Sequence, residues 1–290
     1  MRWSGIGHEE QKKILERLLV ERHVPHALML HGPSGLGKYG VARDIAVALL
    51  GDASPLETNL DFRELCPGID DEEGTEKDIA VADARALRAW AYGRPLSGEH
   101  KVALIDEAHR LGIDAANTLL KVLEEPPAYL TIILVSSQPQ QMLPTIASRC
   151  QELAFSPLDA DDMARALADV RITPAQREVL LMVAGGRPGL ARTLANTRTL
   201  TKISTACDTL EALLASGMTE RILAAKKLAD ASDAGRVVLW WLSWVHAHIG
   251  DRPTLLPVAQ GLLTLHEAVQ DTKYNRRLAF ERFLLEIPKY

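Results

Sequence analysis

Along the first half of this chain, short unbroken apolar runs alternate with longer stretches in which apolar residues return every three or four positions. The runs ALML (27–30), VALI (102–105) and LTIILVSS (130–137) read as strands buried on both faces, since a strand with one wet face would alternate with polar residues. Residues 8–22 place Ile14, Leu18 and Leu19 at helical spacing among charges, and VARDIAVALL (41–50) continues as helix. Further helices are expected over 83–92 and 114–124, the second stopped by Pro126-Pro127. A short strand is expected around 79–81. The stretch GDASPLETNLDFRELCPGIDDEEGTE (51–76) is polar, turn-rich and acidic, a surface excursion. Strands alternating with helices predict a parallel sheet covered on both faces.

After about residue 155 the strand signal ends. Residues 159–200 read as a small helical unit broken at GGRPG (185–189), and from about 203 the chain is helical, interrupted by DRPTLLP (251–257). The expected class is α/β followed by all-α, with an α/β domain over 1–155 and helical domains over 156–202 and 203–290. In the last, VVLWWLSWVHAHIG (237–250) spaces Trp240 and Trp244 four apart as a core stripe. Trp241 falls beside that stripe and is a candidate interface anchor. The run DTKYNRRLAFERFLLE (271–286) reads as an amphipathic helix with Leu278, Phe283 and Leu285 as burial candidates.

Composition changes this picture little. The 290 residues are 47% hydrophobic and 24% charged, ordinary for a globular protein. A net charge of −5 and pI near 6.0 argue against a broad nucleic-acid surface, leaving room for a local basic face. Cys66, Cys150 and Cys207 are far apart and odd in number, which argues against a disulfide framework and fits a reducing cytoplasm. No apolar run reaches the roughly 18–20 residues that span a bilayer, and HEEQKKILERLLVER is too charged for a signal peptide. His246 and His248 lack the carboxylate or cysteine company of a metal site and read as structural.

Chemistry concentrates at GPSGLGKYGV (32–41), between the first strand and a helix. Gly32, Gly35, Gly37 and Lys38 fit the phosphate-cradling pattern GxxxxGK[ST], but Tyr39 stands where Ser or Thr belongs. The loop amides and helix N-terminus favour an anion, and Lys38 would reach the outer phosphates. The missing hydroxyl normally binds Mg²⁺, and a phenol oxygen at the far end of a rigid ring cannot replace it. Asp106 and Glu107 end the strand VALI, where the ligand crevice of an open α/β sheet forms. There Asp106 would contact Mg²⁺ and Glu107 would orient an attacking water. A ligand-free glycine turn and a solvated strand end are the plain alternatives; the order and spacing of the two motifs favour a nucleotide-type fold.

The stretch VALIDEAHRLGIDAANTLLKVLEEPP (102–127) closely resembles the AAA+ subunits of the bacterial replicative clamp loader. The similarity continues into LTIILVSSQPQQMLPTIASRC (130–150) and back to HVPHALMLHGPSGLGK (23–38), covering most of residues 20–155. Beyond these it extends only to GGRPGLA (185–191) and to helical character. Within the family the chain looks most like the delta-prime subunits of DNA polymerase III, which help load the sliding clamp on primed DNA without hydrolysing ATP themselves. The resemblance implies an AAA+ P-loop domain, a helical lid and a C-terminal helical collar. It implies a cytoplasmic hetero-oligomeric ring with gamma/tau motor subunits and a delta subunit. The sliding clamp and primer-template DNA would be met indirectly, and no membrane is involved.

The resemblance also gives Tyr39 a meaning, because delta-prime subunits commonly carry damaged phosphate loops while motor subunits keep GK[ST]. The nucleotide-sensing arginine of motor subunits, in a segment like G-S-x-R-D-A, falls here on Gly189. Arg187 is offset by two and would point elsewhere on a helix. With Lys38, Asp106 and Glu107 intact, ATP binding without turnover stays open, with Mg²⁺ only alongside ATP. No zinc is expected, because the region that holds a four-cysteine module in many relatives contains only Cys66. Arg149, in Ser148-Arg149-Cys150, corresponds to an arginine that reaches the next subunit's ATP site; the plain alternative is a helix-capping surface arginine. Ser137 matches a sensor of the γ-phosphate, or is ordinary turn chemistry. Lys121 and Asn117 would face a DNA-holding chamber, with a solvated face the simpler account. An active gamma/tau-like motor is the alternative for the whole chain, and a nucleotide-independent DNA-binding protein is disfavoured by the acidic pI.

Overall fold

A computed structural model describes residues 3–51, 55–68, 77–271 and 273–288. Parts of the acidic excursion, 52–54 and 69–76, lie outside the described residues, as does Thr272 in the expected last helix. The chain divides into two compact units, Met1–Ala168 with Gly186–Leu190, and Asp169–Gly185 with Ala191–Tyr290. The segment 186–190, expected within the lid, thus belongs with the α/β unit.

In the first unit the order is α1 (Glu9–Val20), β1 (Ala27–His31), α2 (Lys38–Leu50), β2 (Phe62–Leu65), α3 (Val81–Ala91), β3 (Lys101–Ile105), α4 (Ile113–Glu124), β4 (Leu130–Ser136), α5 (Pro144–Ala147), β5 (Gln151–Ala154) and α6 (Ala160–Ala166). All pairings are parallel, in the order β2-β3-β4-β1-β5. Alternation along each strand splits the core in two. Ala27, Met29, Ala103, Ile105, Ile132 and Leu134 pack with α3 and α4. Leu28, Leu30, Val102, Leu104, Ile133 and Val135 pack with α1 and α2. The continuous apolar runs of the sequence are these doubly buried strands.

Three local expectations need correction. The edge strand β2 lies at Phe62–Leu65, inside the supposed excursion, whereas residues 79–81 give one isolated bridge, Ile79 to Leu111, before α3 starts. FREL alternates only weakly, so its strand character comes from pairing with β3. In α1 the buried apolar residue is Leu15, not Ile14, which is exposed. The short strand β5 (QELA) gave no apolar signal because it is an edge strand with mostly exposed residues.

The second unit contains α7 (Pro174–Ala184), most of α8 (Pro188–Leu194), α9 (Thr197–Ala215), α10 (Met218–Ala229), α11 (Ala234–His248), α12 (Leu256–Gln270) and α13 (Arg276–Glu286). Trp240, Trp241 and Trp244 are all buried, and Trp241 is wholly so at 0% exposure, its Nε1 donating to the Ala206 carbonyl at 2.7 Å. It is a core residue rather than an interface anchor, because α11 meets other helices on more than one side. Leu278 and Leu285 are exposed, and α13 buries Phe280, Phe283 and Leu284 instead. His246 is exposed, and His248 stacks on Trp244 with its Nδ1 on that residue's carbonyl.

A buried arginine ties this unit together. Arg221, 5% exposed, faces the Leu213 and Leu214 carbonyls that end α9 and the Leu284, Ile287 and Pro288 carbonyls that end α13. Its charge is stabilised by the negative ends of two helices, and removing it orphans those acceptors. Arg221→Met is expected to lower unfolding free energy by about 3 kcal/mol, read from the urea midpoint at constant slope; a midpoint within error of wild type contradicts this.

Candidate functional site

The phosphate loop leaves β1 at the C-terminal edge of the sheet, between the ends of β4 and β5. Gly32 sits there with φ 133°, and a Cβ on it would lie 2.1 Å from the Phe155 carbonyl oxygen, so only glycine fits. Gly35 and Gly37 also take left-handed φ, and Gly37 caps the start of α2. Lys38 follows as the first residue of α2, 4% exposed, its Nζ donating to the Gly32 carbonyl at 2.6 Å and the Pro33 carbonyl at 2.7 Å. Burial lowers its pKa, partly offset by Glu107 and Asp106. The ammonium is thus held by the loop that would present it to a phosphate.

Tyr39 turns away from this centre. Its phenol oxygen accepts from Arg43 Nη1 at 3.1 Å one turn along α2, and the guanidinium carbon stands 5.7 Å from its ring centroid. Arg43 is in turn paired with Glu57 and, at 3.3 Å, with Glu64 of β2. Burial and Glu64 raise the Tyr39 pKa. The tyrosine therefore leaves the magnesium position without a side-chain hydroxyl and does not fill the nucleotide pocket. The loop amides and Lys38 fit a phosphate chain, and Asp106 would serve only through a metal ion beside it; the residue after the lysine does not fit a metal shell.

Asp106 and Glu107 follow β3, and Ser137 follows β4, the strand between β3 and β1. Sheet order therefore brings all three toward the loop edge. Glu107 has φ 46°, left-handed for a non-glycine residue. Its Oε2 accepts from Ser137 Oγ at 2.8 Å and lies 3.4 Å from His109 Nε2. His109 Nδ1 is itself 3.4 Å from Ser136 Oγ. The carboxylate expected to orient water is thus held by the residue expected to sense phosphate. Nothing in the spacing singled out His109 or Ser136, although both flank residues that it did. Burial, with help from Glu107 and Glu64, pushes Asp106 up to about 6.

The 186–190 segment closes over the loop. The Gly189 N–H donates to the Gly35 carbonyl at 2.8 Å. A Cβ on Gly189 would lie 3.0 Å from that oxygen and 3.2 Å from the Gly35 Cα, so an arginine at this position requires the loop backbone to give by a few tenths of an ångström. Arg187 precedes α8 instead of lying within it, and its Cβ is 3.6 Å from where a Cβ on Gly35 would be. The offset arginine therefore starts beside the loop, not elsewhere on a helix.

Arg149 is placed differently. It lies in the turn between α5 and β5, and β5 begins at Gln151 opposite Leu28 near the start of β1. In a parallel sheet this is the N-terminal edge. The five residues of β1 put about 16 Å of strand, at roughly 3.3 Å per residue, between this edge and the loop. Arg149 adjoins an open cleft of about 840 Å³ lined by Pro25, His26, Leu123 and Glu124 among others. Burial raises the neighbouring Cys150 thiol to about 11, which makes it an inert packing residue. Asn117 and Lys121 are both exposed on α4. Among the described residues no three His, Cys, Asp or Glu side chains gather as a metal cluster, and no helix is long and apolar enough to cross a membrane.

Strand, glycine loop and helix, with an acidic pair after the parallel strand two places away in the sheet, define a P-loop protein of the AAA+ class. The chain belongs to the AAA+ subunits of the bacterial DNA polymerase III clamp loader: residues 7–159 match the family described as DNA polymerase III, delta subunit. It is 33% identical over 212 residues to the DNA polymerase III subunit delta' of Pseudomonas aeruginosa, covering 66% of this chain and 58% of that one. It is 34% identical over 159 residues to the subunit tau of Bacillus subtilis, covering 52% and 28%. The chain thus spans less than two thirds of these relatives' lengths. A gamma subunit-related protein of Thermotoga maritima shares the fold, with TM-score 0.50 at 17% identity over 93% of this chain and 97% of that one.

Gly189→Arg is expected to lift the 186–190 segment from the loop, speeding amide exchange of residue 189 and lowering stability by about 1–3 kcal/mol; unchanged exchange contradicts the close packing. Asp106 holds its proton more tightly folded than unfolded, so stability falls as pH rises from 3.8 to above 6. Asp106→Asn is therefore expected to stabilise the metal-free chain by about 1–3 kcal/mol at pH 8 and by nothing below pH 3.8, measured as thermal midpoint against pH. A gain independent of pH contradicts the assignment.

Proposed function

We propose that this chain is a delta-prime-type subunit that helps load the sliding clamp on primed DNA and leaves hydrolysis to its neighbours. Its partners are then gamma/tau-type motor subunits and a delta subunit in a cytoplasmic hetero-oligomeric ring, with clamp and primer-template met indirectly. The observation that carries this reading is Tyr39, drawn into the Arg43–Glu57–Glu64 cluster and leaving the loop without the magnesium hydroxyl; Arg149 lies a strand's length from the chain's own phosphate loop. A guanidinium there can act only on a phosphoryl group held by another subunit.

Three features support a silent site of its own. Tyr39 supplies no hydroxyl for Mg²⁺, Glu107 is engaged by Ser137, and Gly189 stands where a motor subunit's sensing arginine falls. The loop amides, Lys38 and Asp106 retain the means to bind ATP without turnover, Mg²⁺ accompanying the nucleotide only. The match to a tau subunit at 34% identity, with the intact lysine and acidic pair, favours the second reading, an active motor.

ATPase assays separate the two. The purified chain is expected to show no DNA-stimulated turnover. In a ring of its cognate subunits, Arg149→Ala is expected to slow the adjoining motor site by about 10³–10⁵-fold. Robust turnover by the chain alone, or an unaffected neighbour, would sink the proposal.

A further inference from the structure

Arg149 does not hang free at the sheet edge. Its Nη1 donates to the Thr145 carbonyl at 2.8 Å and to Ser148 Oγ at 3.3 Å, while Nη2 donates to Glu124 Oε1 at 2.6 Å. Thr145 belongs to α5, and Glu124 is the last residue of α4, just before Pro126-Pro127 stops that helix. Two separate elements therefore grip one guanidinium. Of its five N–H donors, two have no acceptor among the described residues.

This grip does little for stability. The Arg149 and Glu124 side chains are 34% and 49% exposed, and ion pairs in such positions contribute little after screening and loss of side-chain freedom. Its effect is on direction. A short charge-assisted bond and a backbone carbonyl remove most of the rotamer freedom of a long side chain before any partner arrives, which is the condition for a reacting group to be in place when its target docks.

We propose that Glu124 is the positioning residue for Arg149, fixing the guanidinium so that its two remaining donors meet a phosphoryl group on the neighbouring subunit. This rests on the reading of Arg149 as a finger acting in trans. Glu124 itself touches no phosphate. It acts through the arginine, together with the Thr145 carbonyl.

The test uses a ring of full-length cognate subunits in which only the motor site beside this chain keeps its phosphate-loop lysine. DNA-stimulated kcat and the KM for ATP are measured for Glu124→Gln, Arg149→Ala and the double variant. Glu124→Gln is expected to retain the wild-type thermal midpoint and KM while kcat falls by up to about 100-fold, the scale for a misplaced reacting group. The double variant is expected to be no slower than Arg149→Ala alone, since without the guanidinium the carboxylate has nothing to orient. Glu124→Asp, which keeps the charge one methylene further back, falls between and serves as the probe should the Gln variant fail to assemble. A Glu124 variant as fast as wild type or faster, or losses that multiply in the double variant, overturn the positioning role while leaving the finger standing. Wild-type turnover in the Arg149→Ala ring removes the finger and this inference with it.

Discussion

The polarity of one parallel sheet governs everything this chain can do. Every strand runs the same way, so loops that follow strands gather at one edge and turns that precede them gather at the other. The phosphate loop follows β1 and Arg149 precedes β5, its immediate neighbour. Their side-by-side strands keep the two motifs apart by the length of a strand, in a layer packed on both faces. No rotamer change brings them together. Under the proposed reading this separation leaves the chain with a cradle at one sheet edge and a cation at the other, so a reaction needing both requires two chains.

Seen this way, the own-site features form a consistent set. A cation buried at the loop is held by carbonyls of that loop, an acid beside it rises toward neutrality, and the second acid is tied to the serine it faces. Tyr39 has been recruited into a surface cluster with Arg43, Glu57 and Glu64 that bridges α2 to the edge strand. What remains is a glycine loop that shapes the sheet edge and packs against residues 186–190. Turnover would call for a hydroxyl after Lys38; Gly189 packs tightly on Gly35, and the arginine that starts beside the loop is Arg187.

Much of the fold was readable because burial on both faces writes itself as unbroken apolar runs: β1, β3 and β4 were visible for that reason. The edge strands β2 and β5 were not, since FREL and QELA are specified by pairing with a neighbour and not by their own hydrophobicity. In the second unit, Trp240, Trp241 and Trp244 mark one helix, but a one-sided stripe does not describe a helix enclosed on several sides, which is why Trp241 is core. In α13 the reverse happened, with Leu278 and Leu285 left in solvent. Among candidate site residues, the glycines and Lys38 are legible because a phosphate-cradling loop imposes fixed spacing, and Asp106 and Glu107 because they end an apolar strand. The companions of the candidate residues follow no motif spacing: Ser136 and Glu124 meet His109 and Arg149 only when separate elements pack, and His109 and Arg43, two and four residues from Glu107 and Tyr39, have nothing in the pattern to single them out.

The most direct measurement is photolabelling of the assembled ring by an ATP analogue reactive at its γ-phosphate. With nucleotide bound to the motor subunits, label is expected on this chain in the peptide that contains the turn over residues 145–150, and to vanish when the rings are dissociated. Label confined to this chain's own phosphate-loop peptide, or absent from it altogether, would contradict a guanidinium acting across the interface.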